Sequence, residues 1–404
     1  MSSTPTQVGH AEPKMTRGMV LLFAFCCGAI VANIYYAQPI IELIAPDIGL
    51  SAHAASLIVS LTQIGYALGL FFLVPLGDLL ENRRLTIATV LVAVVSLIGA
   101  AFASRANGFL LVSLLIGFSS VSVQMLIPLA AHLAHEESRG RVVGGIMGGL
   151  LLGILLARPL SSFVADYLGW RAVFFGAAAL MGVIAAVLAS TMPKRQPQHS
   201  ASYRQLLLSL GSLYKAMPVL RQRAFYQACM FASFSLFWTA VPLELARHYG
   251  LSQSQIALFA LVGATGAIAA PLSGRLADAG HTQAATRFAL LFGALSFSPA
   301  LIHPAFGIIG LAVTGVVLDF CVQMNLVVGQ RTVYALDAAS RSRLNGLYMT
   351  SIFVGGAIGS ALASVLYDRG SWFGIAVAGS AFPVLALIRF MLDASPRKAG
   401  VQAG

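Results

Sequence analysis

From about residue 19 to residue 392 the chain is a succession of long apolar runs parted by short loops, and the loops hold nearly all of its charge. The runs fall at about 19–44, 54–80, 85–104, 108–134, 142–168, 171–191, 224–248, 253–277, 285–304, 306–335, 344–367 and 372–392. A hydrocarbon core about 30 Å thick takes roughly 20 apolar residues to cross as a helix. These runs are too long for barrel strands, and backbone groups in lipid must be bonded within their own segment, so each run is predicted to be a transmembrane helix. Composition agrees: 58% of the 404 residues are apolar and 10% are charged, where a soluble domain carries about 25% charged. A cytosolic enzyme, a nucleic-acid reader and a disordered chain are all excluded. The expected fold is an all-α integral membrane protein with twelve spans.

The first run is much longer than a secretory apolar region and is interrupted by Asn33, Tyr35, Tyr36, Gln38 and Pro39, so it is read as an uncleaved helix. Cys26, Cys27, Cys229 and Cys321 all lie inside apolar runs, without metal-ligand spacing, and are expected to be small core residues. Twelve alternating spans distribute the basic residues unevenly. One side receives 20 Lys and Arg, including Arg83, Arg84, Arg139, Arg141, Arg341 and Arg343; the other receives Arg105, Arg171, Arg247 and Arg369, and Arg158 stays inside the membrane. By the positive-inside rule both termini are predicted to be cytoplasmic.

The chain also repeats itself. Gly49-Leu50-Ser51 recurs as Gly250-Leu251-Ser252, and Ser51 and Ser252 are expected to cap the helices that follow. At an offset of 202, Arg139, Arg141, Gly144, Met147, Gly153, Asp166 and Trp170 match Arg341, Arg343, Gly346, Met349, Gly355, Asp368 and Trp372. Six spans return a chain to its starting side, so the repeat implies two parallel six-helix halves. The expected division is a disordered cytoplasmic tail 1–16, a first half 17–192, a cytoplasmic linker 193–222 that is amphipathic around 206–214, a second half 223–392 and a tail 393–404. Parallel halves are a transporter design in which substrate sits between them near the midplane. No Walker A sequence, zinc signature or ordered catalytic triad is present, so no cofactor or metal is called for and an enzyme is not expected.

On these features the sequence resembles the major facilitator superfamily over about residues 17–392. The family's loop signature after the second helix, G-x-x-x-D-[RK]-x-G-[RK]-[RK], is matched in part by Gly77-Asp78-Leu79-Leu80-Glu81-Asn82-Arg83-Arg84, with Leu79 and Glu81 as departures. Gly274-Arg275-Leu276-Ala277-Asp278 repeats its glycine and aspartate. The resemblance implies a conformational latch built from Asp78, Arg83, Arg84 and Asp278. The run Gly145-xxx-Gly149-xxx-Gly153-xxx-Ala157-xxx-Ser161 is similar to the fifth-helix motif of drug and metabolite antiporters, although Ile154 stands where that motif has proline. Small residues at this spacing also allow close helix packing, and Gly355 and Gly359 offer the same in the second half. Asn33-Ile34-Tyr35-Tyr36-Ala37-Gln38-Pro39 is similar to a bacterial efflux subgroup. The function implied is proton-coupled export of a small organic molecule, drug-like or a metabolite such as a siderophore, with import or gradient-driven facilitation as the alternative. The partners implied are that substrate, protons and the bilayer, with no nucleic acid, and the chain is expected to act as a monomer.

Arg158 and Asp319 are the charges deepest in the membrane, about 24 Å and about 18 Å along their helices at ~1.5 Å per residue. An ionisable residue there is a functional candidate by default, and the pair could carry a proton or form a permanent structural bridge. Polar or aromatic stripes on spans 1, 2, 4, 7 and 10 name Asn33, Tyr36, Gln38, Gln63, Gln124, Trp238 and Gln323 as candidate substrate contacts. Helix–helix bonding is the other use such residues have. Glu42 and Glu244, near the outer ends of spans 1 and 7, are read as gate or surface residues.

Overall fold

The computed structural model describes residues 15–194, 202–301, 307–337 and 340–394. Among these, eight stretches are long and apolar enough to cross a membrane, and one of them, Arg341–Asp393, spans 53 residues. That stretch is two helices: the backbone turns at Ser371, with φ 51° and ψ −152°. Three further spans are broken and therefore short in each piece, which restores twelve. Span 1 is Arg17–Ala32 followed by a 3₁₀ turn Gln38–Ile40 and the helix Ile41–Asp47. Span 8 is Gln253–Ala260, a 3₁₀ segment Leu261–Thr265 and Gly266–Asp278. Span 9 is Thr282–Leu295 with the short helix Ser298–Leu301.

The others follow the predicted order. Span 2 runs through Leu57–Phe72 to the 3₁₀ segment Val74–Asp78, span 3 is Asn82–Phe102, and span 4 joins Ala106–Ser119 to Val123–Leu133. Span 5 is Arg139–Leu168, span 6 Trp170–Thr191, span 7 Pro218–Arg247 and span 10 Gly307–Tyr334. Spans 11 and 12 lie before and after Ser371. The apolar surface is turned outward, with Leu21, Val95, Phe102 and Ile309 all at least 70% exposed. Lipid, not water, is the solvent for which such a surface is stable.

Packing repeats as the sequence does. Span 1 lies on span 5, span 2 on span 4 and span 3 on span 6; span 7 lies on span 11, span 8 on span 10 and span 9 on span 12. The small-residue faces are where backbones meet. A Cβ on Gly149 or Gly153 would fall inside the backbone at Ala24 or Gly28, and one on Gly355 or Gly359 inside the backbone at Ala228 or Ala232. Ala157 completes the first seam and is 1% exposed. Such contact stabilises helix pairs in lipid by dispersion, since no hydrophobic gain is available there.

The connector is the helix Tyr203–Ala216, closed at its start by a reciprocal box between Ser202 and Gln205. Leu206 and Leu210 are buried beneath it, Tyr203 donates to the Phe72 carbonyl at 2.9 Å, and Arg343 donates to Ser209 at 3.0 Å. It thus ties the end of span 2 to the start of span 11. Ser252 caps span 8 through the Gln255 amide, as expected. Ser51 does not: span 2 opens with a 3₁₀ turn, Ala52–Ala54, and the Ser51 side chain makes no cap bond.

The turn between spans 5 and 6 uses Gly169 at φ 81°, and its repeat equivalent is Ser371. A side chain in that region costs about 1–3 kcal/mol. Ser371→Gly is therefore expected to stabilise the protein by about 1 kcal/mol, read as a higher melting temperature in detergent; an unchanged or lower one refutes the strain.

Candidate functional site

The site begins with the break in span 1. Pro39 has no N–H to give and its ring crowds the preceding turn, which favours a kink or break there; in span 1 the helix stops at Ala32 and resumes at Ile41. The backbone tightens into three-residue bonds, such as Tyr35 N to Ala32 O at 2.9 Å and Gln38 N to Tyr35 O at 3.2 Å. One carbonyl freed in this way, that of Tyr36, accepts from the Ser161 hydroxyl on span 5. The same break turns Gln38 inward. Its Oε1 accepts from Arg158 Nε at 2.8 Å, and its Nε2 donates to Thr239 Oγ1 on span 7 at 3.1 Å. One amide thus links spans 1, 5 and 7.

Arg158 is 4% exposed, and its guanidinium sits among three rings. Its central carbon is 4.6 Å from the Trp238 ring centre, 5.0 Å from Tyr35 and 5.3 Å from Phe234. Asp319, 6% exposed, accepts from Trp238 Nε1 at 2.8 Å. The sequence brought Arg158 and Asp319 into view as a possible pair; among the described residues no nitrogen of one lies within 4.0 Å of an oxygen of the other. Trp238 stands between them, bonding the carboxylate with its edge and covering the cation with its face. Beside both Asp319 and Trp238 lies Gly263, in the 3₁₀ segment of span 8, where a Cβ would come within 2.9 Å of Oδ2 and 3.0 Å of the Trp238 ring. Broken spans 1 and 8 therefore both meet this centre.

The remaining candidates are dispersed around it. Asn33 is buried with neither amide atom bonded, and Tyr36 contributes its carbonyl. Gln63 donates to Ser235 at 2.7 Å and its Oε1 lies against Gly356, so it bridges spans 2, 7 and 11. Gln124 donates to the Tyr66 hydroxyl at 3.3 Å within the first half. Gln323 is half-buried and makes no side-chain hydrogen bond among the described residues. The inward polar position on span 10 is instead Asn325, whose Nδ2 donates to Gln227 Oε1 at 2.6 Å. Asn325, Thr239 and Gly263 escaped the stripe reading; two glycines, Gly263 and Gly266, inside one apolar run were the available signal for a break.

The serines of spans 2 and 4 do other work. Ser113 and Ser120 bond carbonyls of their own helix. Ser60 bonds Ser360 at 3.0 Å, and Ser56 N donates to Ser364 Oγ at 3.1 Å, which sews span 2 to span 11. Further toward the Arg-poor face the repeat makes a reciprocal clasp. Asp166 at the end of span 5 accepts from the N–H of Ser254 at 3.2 Å, in the first turn of span 8. Its equivalent, Asp368 at the end of span 11, accepts from His53 Nδ1 at 2.7 Å, at the start of span 2. Arg247 adds a fork to Glu42 at 2.8 Å and a bond to Asp368 at 3.0 Å, and Tyr367 donates to Glu244 at 2.8 Å. The halves are thus joined at this face. A carboxylate at a helix start contributes about 0.3–1 kcal/mol, so Asp166→Asn with Asp368→Asn should favour opening by about 1–2 kcal/mol. Membrane-impermeant thiol labelling of a cysteine placed at Ser60 should then quicken roughly fivefold or more; an unchanged rate would leave the clasp without conformational weight.

At the Arg-rich face the latch residues take separate partners. Arg83 donates to the Ala189 carbonyl at the end of span 6, and Arg84 pairs with Glu81 at 3.0 Å. Asp78 borders a small cleft with Leu210 of the connector and Ser342, Arg343 and Gly346 at the start of span 11. That cleft is lined from both halves, with Leu70, Phe71 and Pro75 of the first. Asp278 ends span 8, and its side chain lies outside the described residues.

The sequence and the fold both have parallels among known proteins. The family model of the Major Facilitator Superfamily matches residues 20–220 and 223–404. The chain is 39% identical over 376 residues to the uncharacterized transporter YgaY of Escherichia coli O157:H7, covering 93% of this chain and 95% of that one. It is 33% identical over 395 residues to the probable transporter SCO4007 of Streptomyces coelicolor, covering 95% and 90%. Among solved structures, the nucleoside transporter NupG superposes with a TM-score of 0.74 at 14% identity, covering 92% of this chain and 99% of its own. The peptide transporter POT gives 0.73 at 17%, covering 94% and 96%. At those identities the likeness is one of fold. Two parallel six-helix halves, a polar centre between them, and a family match on each half have one meaning: the chain belongs to the Major Facilitator Superfamily and is a multi-pass membrane transporter, not an enzyme.

Proposed function

We propose that this transporter exports a small organic molecule against entering protons, in a bacterial inner membrane with both termini in the cytoplasm. The observation that carries the reading is the unpaired Arg158 and Asp319 at the junction of two broken spans. Away from the span ends, Asp319 is the one carboxylate among the described membrane residues, so it is the group available to load and release a proton. Arg158, Gln38, Trp238, Gln63 and Asn33 form the contact set for substrate, and Asp78 regulates the passage between states at the Arg-rich face. The Gly-rich face of span 5, similar to that of antiporters, supports export. With the Arg-rich side cytoplasmic, the clasp at the opposite face closes the outer entrance, leaving the centre to be loaded from within. The protein is taken to work as a monomer.

The test is proton movement in proteoliposomes that hold a pH-sensitive dye. Adding a transported compound to one side should drive a proton flux of opposite direction, abolished by Asp319→Asn. Flux in the same direction would make the protein an importer by symport, and substrate movement without proton flux a facilitator.

A further inference from the structure

The central charges are opposite in sign, buried, and held apart. Free to choose, such ions pair, because an ion taken out of water without a partner costs several kcal/mol. Here the Trp238 ring keeps them separate, and each retains unused capacity. Arg158 has a buried Nη2 with no hydrogen-bond partner. Asp319 uses Oδ1 for the indole N–H, while Oδ2 lies against the bare backbone of Gly263. Around them the surface is aromatic: Tyr35 and Phe234 flank Arg158, and Phe259 stands edge-on to Trp238 at 6.4 Å. The centre therefore presents one open cation and one open anion on either side of an indole, inside an apolar wall.

Resting on the transport reading above, we propose that the substrate is a zwitterion of the amino-acid class, with a carboxylate and an ammonium a few bonds apart on an apolar or aromatic body. The carboxylate takes the free N–H of Arg158. The ammonium displaces the Trp238 indole from Asp319. A plain anion would set its charge against Asp319, and a plain cation would set its charge against Arg158, so each leaves one buried ion opposed. The zwitterion alone satisfies both. It also supplies the exchange: a proton and the ammonium compete for the one Asp319 carboxylate, so the zwitterion binds the ionised form and, where the carboxyl carries a proton, binding sends that proton to water. Proton and zwitterion thus exclude each other at one group, which is what an antiporter requires. Among the described residues, the titratable and charged groups that face Asp319 are Arg158 on span 5 and Tyr35 on span 1.

Three probes with one phenylethyl body separate the classes: L-phenylalanine, 3-phenylpropanoate and 2-phenylethylamine. Binding to the full chain in nanodiscs is measured by calorimetry in two buffers of different ionisation heat, which also counts protons. Phenylalanine should bind about tenfold or more tighter than either relative, releasing protons in the parent and none in Asp319→Asn. Arg158→Gln should cost phenylalanine and phenylpropanoate but spare phenylethylamine; Asp319→Asn should cost phenylalanine and phenylethylamine but spare phenylpropanoate. The comparison among probes in the parent stands even where a variant fails to fold. Equal or tighter binding of phenylpropanoate or of phenylethylamine, or no binding of phenylalanine, overturns the zwitterion and leaves the transport reading intact. Phenylalanine binding that neither variant alters overturns both, since the ligand then sits elsewhere.

Discussion

Asp319→Asn is expected to abolish uphill transport, while downhill exchange persists at substrate concentrations high enough to offset its weaker binding. One proton moved across one pH unit is worth 1.36 kcal/mol, so a coupled transporter can concentrate its substrate about tenfold per unit. The asparagine keeps the size of the aspartate, and its carbonyl can still accept the 2.8 Å bond from Trp238. What it loses is the ability to titrate. With no other carboxylate away from the span ends among the described residues, nothing remains to exchange a proton with the driving gradient. Accumulation against an imposed pH gradient should fall from about tenfold to the onefold ratio of free equilibration. Arg158→Lys should keep coupling but displace the pH optimum. An ammonium cannot give the directed Nε bond to Gln38 and lie flat among three rings at once, as the planar guanidinium does. The measurement is substrate accumulation in proteoliposomes across a range of imposed gradients. If Asp319→Asn accumulates substrate as well as the parent, the proton moves by another route.

The parts of the molecule that the sequence made legible are those written in repetition. Twelve apolar runs and an offset of 202 residues suffice for two parallel halves, because lipid leaves the helix as the available way to bond the backbone of such a run. The small-residue faces were legible for the same reason: spacing by four places residues on one side of a helix. Interruptions were harder to read. Pro39 marks a break in span 1, but the direction in which that break turns Gln38 depends on where span 5 lies, which periodicity does not contain. The Arg158–Asp319 relation illustrates the limit. Two deep charges of opposite sign are visible in a sequence; an indole held between them is a property of three helices packed together. The stripes on spans 2 and 4 left two uses open, substrate contact and helix–helix bonding. Ser56 and Ser60 of span 2 meet span 11 and Gly117 of span 4 meets the backbone of span 2, and a buried hydroxyl serves a neighbouring carbonyl or serine as readily as a ligand. Loop arginines are as hard to place, since Arg83 finds a carbonyl at the end of span 6 and Arg84 a nearby glutamate, partners that the loop signature does not specify.

Gly153→Leu should stop transport in a protein that still reaches the membrane. The argument is geometric. At this position span 5 touches the backbone of span 1 at Gly28, and a Cβ would occupy the space of backbone atoms that no rotamer change can clear. Overpacking a core with side-chain neighbours costs about 1–3 kcal/mol; where the neighbour is backbone, the helices themselves must separate. Span 1 cannot move outward here without carrying its break along, and the break holds Gln38 on Arg158 at 2.8 Å and the Tyr36 carbonyl on Ser161. Insertion depends on the hydropathy of each span and is indifferent to one added leucine. Expression should therefore stay near that of the parent while transport falls by about 100-fold, equivalent to roughly 2.7 kcal/mol on the limiting step. Gly359→Leu is expected to do the same through Ala232 on span 7, because the repeat builds the same seam twice. Gly148→Leu is the internal control, one residue outside the seam, where a Cβ meets no atom within 4 Å. It should transport normally. Assaying the three variants beside the parent, with melting temperature in detergent as the check on folding, decides the matter: normal transport by Gly153→Leu and Gly359→Leu, or equal loss by Gly148→Leu, would mean that the close backbone seam does not govern the cycle.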